Sequence, residues 1–460
     1  MYARTVLLVV AAIAMGVTRM AAGEEKLNPD PVPRWTKHIF ILTGKPDLQC
    51  VATPVPERSI YGAGKLVQLS PTQAGLFCGV RPVGIPVIDL NAGADLIIFD
   101  ALDKISEKNA IPVTRNHKAV HPRNGAPLVM VRNHVVCGFV PLGARLADGS
   151  PHPAAGTGFG LGLLLGFPPD HSDLWAAARK DIHSALQLQQ YRYDGRQFTI
   201  VSDRILDPKD LIPGWEIGNV SLDNPMPDGR DFLVGLVARD GKLHPKKGCA
   251  MSRWQCANGE WKPVNISYVE GSEGSFEPSA VRDRDGAILL SVRRGTEFNV
   301  WRSTDQGQTW KQIIQVDKTR ASSPVTIHRT LGGAPFLCAN PYVGPYKDGV
   351  GRDVDVGRWR EVIAFWPLRD DRAGVEQPSF SFDFNRARFG PSPNGSATWA
   401  DHPISGIVRL ADGKLHCLLC LRVWSRDEIS NEVLVTPLSG TWIKEVHNLN
   451  DGIEIPVWKF

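Results

Sequence analysis

The sequence predicts an all-β fold built as a β-propeller, and three observations carry that expectation. The 460 residues include 44 glycines and 35 prolines, a turn-forming content that suits many short strands better than long helices. An Asp-Gly turn next to a strand rich in Leu, Val and Ile recurs at Asp194-Gly195, Asp240-Gly241, Asp285-Gly286 and Asp412-Gly413, and Asp-Gly is among the strongest hairpin signals. The octapeptide Ser303-Thr304-Asp305-Gln306-Gly307-Gln308-Thr309-Trp310 specifies one hairpin in detail. The Asp305 carboxylate is placed to accept loop N–H groups, and Gly307 takes positive φ without a Cβ clash. Trp310 then re-enters a strand, where an indole wedges between sheets.

Taken in order, residues 1–23 read as a secretory signal: Arg4 is basic, Val6 to Val17 are apolar, and Ala21-Ala22-Gly23 offers small residues for cleavage. The apolar run is too short to span a membrane, and no later stretch reaches the ~20 apolar residues a spanning helix needs. The expectation is an exported chain, secreted or periplasmic, with residues 24–460 as one propeller domain and no membrane partner after cleavage. Strands are expected at Leu96 to Phe99, Pro127 to Arg132, Phe232 to Ala238, Val325 to Ile327, Glu361 to Trp366 and Glu432 to Thr436. Ser252 to Trp261 reads as a decayed copy of the octapeptide that keeps its Ser, Gly and Trp. Ser172 to Gln190 reads as one helical insertion, with Ser172 at the N-cap and Leu174, Ala178, Ile182, Ala185 and Leu186 at helical spacing. Pro341 to Arg360, glycine-rich and charged, reads as a long loop over one face. Ring closure is expected from Trp442 to Val446 and Ile453 to Trp458 pairing with an N-terminal strand near Ile39 to Leu42, since a closed ring removes open edges.

Charge and cysteine content narrow the partners. The 52 basic and 48 acidic residues leave a net charge of +4 and no polybasic field, so nucleic acid is not expected. Cys249 and Cys256 read either as a disulfide stapling a hairpin or as free thiols. Cys417 and Cys420 have C-x-x-C spacing, but residues three apart on a strand face opposite ways, which favours buried free thiols over a zinc or redox pair. His117 and His121 are four apart, yet Pro112 and Pro122 argue against a metal-binding helix. The run Gly156-Thr157-Gly158-Phe159-Gly160 fails the dinucleotide spacing. Neither metal nor cofactor is expected.

The stretch Gly274-Ser275-Phe276-Glu277-Pro278-Ser279, followed by Asp285-Gly286, Arg293-Arg294 and the octapeptide, resembles the central part of the sialidases, whose propellers carry Asp-box (BNR) repeats. The likeness covers residues 274–312 well and the remainder only by repeat style. It implies six blades. It also implies that Glu277 corresponds to the glutamate that activates a tyrosine nucleophile, and that Arg293 or Arg294 is one of three arginines gripping a substrate carboxylate. A guanidinium fork holds a carboxylate through two parallel hydrogen bonds, which Lys cannot reproduce. Two positions depart from the family. Ser59-Ile60-Tyr61-Gly62-Ala63-Gly64 lacks the first-blade arginine, and Ile404 stands where the tyrosine is expected.

Outside that stretch, His402 beside Asp401 pairs an imidazole with a carboxylate, a general acid or base near neutral pH. His152 in Pro151-His152-Pro153, Arg329, Asn340 and Tyr342 are further candidates to line a sugar-binding mouth. Three activities fit these residues: an exo-acting glycoside hydrolase on acidic or decorated glycan, a lyase on uronate-containing polysaccharide, and a glycan-binding propeller without catalysis.

Overall fold

Among the described residues, six antiparallel sheets of four or five strands follow one another along the chain, with a two-stranded sheet of Tyr346–Lys347 and Asp353–Val354 besides. The computed structural model describes residues 43–44, 59–82, 93–106, 109–115, 117–167, 183–317, 323–341, 346–347, 353–354, 360, 362–376, 380–383, 397–426, 433–434, 440–445 and 454–460. The first sheet runs Thr43–Gly44, Ser59–Ser70, Gln73–Pro82, Gly93–Phe99 and Ala110–Arg115. The second holds His117–Val120, Pro127–Val140, Thr157–Phe167, Ser184–Tyr193 and Phe198–Leu206. In the third, Glu216–Val220, Asp231–Arg239, Gly248–Ala257 and Glu260–Tyr268 lie in order, with Met226–Asp228 also on Asp231–Arg239. The fourth is Phe276–Arg282, Ile288–Arg294, Glu297–Ser303 and Lys311–Val316, and the fifth Thr326–Arg329, Pro335–Ala339, Val362–Pro367 and Phe380–Asp383. The sixth pairs Ala397–Arg409 with Leu415–Arg426, whose other edge carries Val433–Leu434 and Gly440–Glu445.

The turn chemistry follows the sequence. Each of the four Asp-Gly pairs closes a hairpin in which the aspartate accepts from the N–H two residues on: Arg196 to Asp194 at 2.9 Å, Lys242 to Asp240 at 2.9 Å, Ala287 to Asp285 at 3.0 Å and Lys414 to Asp412 at 3.0 Å. In the octapeptide, one Asp305 oxygen accepts from Gln308 N at 3.1 Å, Thr309 N at 2.9 Å and Ser303 Oγ at 2.8 Å, while the other accepts from Thr309 Oγ1 at 2.5 Å. Gly307, at φ 84°, donates its N–H to Ser303 Oγ. Trp310 packs against the apolar layer between the third and fourth sheets.

That layer is one of six. Leu66, Leu76 and Ile97 of the first sheet meet Val408, Leu418 and Ile443 of the sixth. Each following pair of sheets shares a similar layer. Between the second and third, Phe159 stacks on Trp254 with centroids 4.4 Å apart, and Trp261 donates to Thr157 Oγ1 at 3.1 Å. The sheets therefore close in a cycle, a β-propeller whose apolar cores lie between sheets and whose inner strands face the axis.

One expectation changes. The helix over Ser172–Gln190 is not found where the chain is described: Ser184–Tyr193 is a strand, and residues 172–182 lie outside the described part. Both faces of this strand are buried, so Gln187, Gln189 and Gln190 sit inside as hydrogen-bonded polar groups. Those inward glutamines broke the period-2 pattern and left a helical spacing of apolar residues. The expected strand exchange that closes the ring falls on residues outside the described part. Gly440–Glu445 pairs with Leu415–Arg426, residues 39–42 lie outside the described part, and the first and sixth sheets meet through side-chain packing. Cys249 and Cys256 are free and lie on one strand; all seven described cysteines are free, including Cys417 and Cys420, which face different apolar layers. The signal segment, residues 1–23, lies outside the described part, as does most of the loop within Pro341–Arg360.

Candidate active site

Two inner strands break register in the same way. Pairing of Phe276–Arg282 with Ile288–Arg294 slips between Phe276 and Ser279, and pairing of Ala397–Arg409 with Leu415–Arg426 slips between Asp401 and Ile404. Each slip contains a polar residue followed by proline: Glu277-Pro278 and His402-Pro403. Both polar residues have positive φ, 50° and 51°, whereas Asn258, Gln306 and Arg372, the other such non-glycine residues among those described, lie in turns or bends. A backbone of this kind costs about 1–3 kcal/mol per residue, so the surrounding contacts must hold it. Proline has no N–H to lose from the ladder, and a bulge re-aims the side chain beside it.

The preceding sheet pins each bulge. Pro278 O accepts from Ser221 Oγ at 2.5 Å and from Leu222 N at 3.1 Å. Pro403 O accepts from Thr326 Oγ1 and from His328 Nε2 at 3.2 Å. Behind them, Ser279 Oγ donates to buried Asp223 at 3.0 Å, and His328 Nδ1 lies 3.4 Å from the same carboxyl. Burial pushes Asp223 up and His328 down, which favours a neutral pair across the axis.

The bulges bring charge together. Arg293 Nη1 lies 3.2 and 3.1 Å from the two oxygens of buried Glu277. Arg422 grips Asp401 in a fork, Nε and Nη2 each at 2.6 Å, and Arg360 Nη1 donates to the same carboxylate. Burial alone would raise the Asp401 carboxyl, but Arg422, His402 and Arg360 outweigh it and hold it well below the usual range. Burial lowers Arg360, as do Arg293 and Arg422 nearby, so the three guanidinium groups share one neighbourhood. His402 Nδ1 lies 2.9 Å from Asp401 Oδ1. Burial and then Arg422 lower the imidazole, with Asp401 and Glu277 opposing, so His402 is neutral at pH 7. An ionised Asp401 only accepts, which puts the proton on Nδ1 and the lone pair on Nε2. Among the described residues, three guanidinium groups and two carboxylates gather around His402. Phe276, next to Glu277, is 54% exposed.

Glu277, Arg293, Asp401 and His402 are thus brought together. Arg294 faces the other way and donates to Gly271 O at 3.2 Å. Asn340 is buried as a tie, its amide donating to Ala400 O at 2.9 Å beside Asp401. Arg329 lines a different cavity at the far ends of the inner strands, and His152 packs edge-on to Trp458 of that cavity's wall. Tyr342 lies outside the described residues. Ile404 is buried, so no tyrosine stands at the position where the sialidase resemblance required one. Sequence reasoning missed Arg360 and Arg422. Arg422 carried a readable signal, a lone cation in the apolar run Leu415 to Val423 directly across from Asp401. Arg360 sits at the end of a loop and carried none.

Among the described residues no cluster of three or more His, Cys, Asp or Glu side chains is arranged to hold a metal, and no helix is long and apolar enough to cross a membrane. No protein-family model matches the sequence, and no curated protein sequence matches it. Solved structures do resemble it. A protein of unknown function from Dyadobacter fermentans superposes with a TM-score of 0.52 at 13% identity, covering 91% of this chain and 100% of that one. NanB, a sialidase of Streptococcus pneumoniae, in its complex with optactamide gives 0.51 at 9% identity over 92% of this chain and 71% of that one. The Trypanosoma rangeli sialidase bound to sialic acid gives 0.47 at 11% identity over 91% and 59%. At these identities the likeness is one of fold, and that to the first two agrees with the propeller arrangement.

Proposed function

We propose that the chain is a six-bladed, sialidase-like propeller of the Asp-box type and that it acts on acidic or decorated glycan as an exo-acting glycoside hydrolase. The observation that carries this reading is the pair of strained, proline-backed bulges that aim Glu277 and His402 into one arginine-lined mouth. Strain held at two facing positions is the kind that functional sites retain. The six sheets serve as the blades, and residues 1–23 direct export to the periplasm or the medium.

In this reading the Arg293 and Arg360 guanidinium groups hold an anionic sugar group. His402, oriented through Nδ1 by Asp401, uses Nε2 to take the proton of a water that attacks the anomeric carbon as the glycosidic C–O bond breaks, the departing oxygen drawing its proton from solvent. Glu277, beside Arg293, lies against the anomeric carbon where positive charge develops. No tyrosine nucleophile is needed. A second reading draws on one specific observation: a neutral, carboxylate-oriented imidazole beside arginines is also what a lyase needs to remove the proton next to a uronate carboxylate. Incubation with a panel of acidic and neutral glycans separates the readings. New reducing ends without ultraviolet-absorbing unsaturated sugar support hydrolysis, and the unsaturated chromophore supports the lyase. Binding with neither product supports a propeller without catalysis and sinks both catalytic assignments.

A further inference from the structure

The far ends of the inner strands enclose a second cavity of about 410 Å3. Arg282 on its wall lies five residues along the strand from Glu277. Buried Asp223 and His328, with Asn224, stand at the inner end of this cavity and belong to the belt that pins the bulges. The wall is mainly apolar, with Leu66, Phe139, Met226 and Ile407 joined by Ile455 and Trp458 of the C-terminal segment. That segment is fixed across the ring. Ile455 donates to Leu331 O at 2.7 Å, Lys459 O accepts from Arg145 N at 2.9 Å, and Trp458 packs edge-on to Phe232.

The charges on this wall are unequal in their company. Arg282 is paired with Asp228 at 2.7 Å, Arg284 donates to Gly332 O at 2.9 Å, and Asp283 is paired with Arg372 at 2.7 Å. The Arg329 guanidinium has no hydrogen bond or ion pair among the described residues, and burial lowers its pKa. The Arg329 side chain is half-buried, and in a cleft partly screened from water a carboxylate pairs with a guanidinium more strongly than in bulk solvent. The volume falls in the range of small-molecule sites, which combine apolar walls with a few polar anchors.

We propose that this cavity is a second ligand site, for a small carboxylate with an apolar body. The carboxylate is held by the fork of Arg329 and the body lies against Phe139, Ile407 and Trp458. The site is separate from the glycan mouth and does not depend on the reading given for it.

Calorimetric titration of the full chain with phenylbutyrate, phenylbutanol and phenylbutylamine tests the assignment. The acid is expected to bind at least about tenfold more tightly than the alcohol, a gap set by one charge-assisted contact, and the amine not at all. Arg329→Gln should abolish the preference and Arg329→Lys should retain part of it. His402→Gln should bind the acid as the parent does. Equal binding of acid and alcohol overturns the proposal, as does unchanged acid binding in Arg329→Gln or its loss in His402→Gln. Should Arg329→Gln not fold, the acid-to-alcohol ratio in the parent and its survival in His402→Gln still decide.

Discussion

Asp401→Asn is the substitution whose effect the structure sizes most fully. The carboxylate accepts from Arg422 twice, from Arg360 and from His402, all in a buried setting. An amide keeps one acceptor oxygen, enough for Arg422 Nε and His402 Nδ1, but turns an NH2 donor toward Arg422 Nη2 and Arg360 Nη1. Two charge-assisted bonds at about 1.5–3 kcal/mol each are lost. Breaking a buried ion pair from one side independently gives about 3–5 kcal/mol. With an unfolding entropy near 2.1 cal/mol/K per residue, a chain of this length loses about 1 °C of Tm per kcal/mol, so calorimetry should show a fall of about 3–5 °C. The pH dependence has a definite sign. The folded pKa lies below the unfolded value of about 3.9, so the stabilisation is present above pH ~4 and is lost as pH falls through the folded pKa. The gap between parent and variant should therefore be constant near neutrality and narrow in acid. A loss under about 1 kcal/mol at pH 7, or a gap that widens in acid, would refute the buried clamp.

Three further outcomes follow from the same geometry. Because His402 must be neutral to accept a proton and its folded pKa lies below 6.5, the acid limb of kcat/KM should fall below pH 6.5; a limb above that value argues against His402 as the base. The Thr309 hydroxyl and N–H, with Ser303 and Gln308, hold the Asp305 carboxyl at about 2, and NMR titration of its side-chain carbon should return that value in the parent and one near 4 in the unfolded chain. The described cysteines are free, with burial pushing Cys78 and Cys417 up to about 12, so these thiols should resist alkylation in the native protein, and reductant should leave Tm unchanged.

The hairpins were legible because their chemistry is local. Asp194, Asp240, Asp285, Asp305 and Asp412 each cap N–H groups within four residues, so the sequence window contained the whole interaction. Ser184–Tyr193 was not, because Gln190 bonds both backbone groups of Trp261 in the next sheet and so behaves as an interior residue. The site divides the same way. Glu277 was legible from the family likeness around residues 274–312, and His402 from the Asp401 carboxylate next to it. Arg360 and Arg422 act on Asp401 from 41 and 21 residues away, separations that only the fold closes. Arg329 and His152 belonged to the right residue types, but the strands carry them to the other end of the ring.

The most direct test compares kcat/KM of Glu277→Gln, His402→Gln and Arg294→Gln with the parent on whichever glycan of the panel yields product, with Tm recorded for each. The account predicts a loss of about a hundredfold or more for the first two, with both still folded and Tm lowered by no more than about 5 °C, and only a few-fold change for Arg294→Gln. Folded Glu277→Gln and His402→Gln proteins that keep parental activity, or an Arg294→Gln loss as large as theirs, would contradict it.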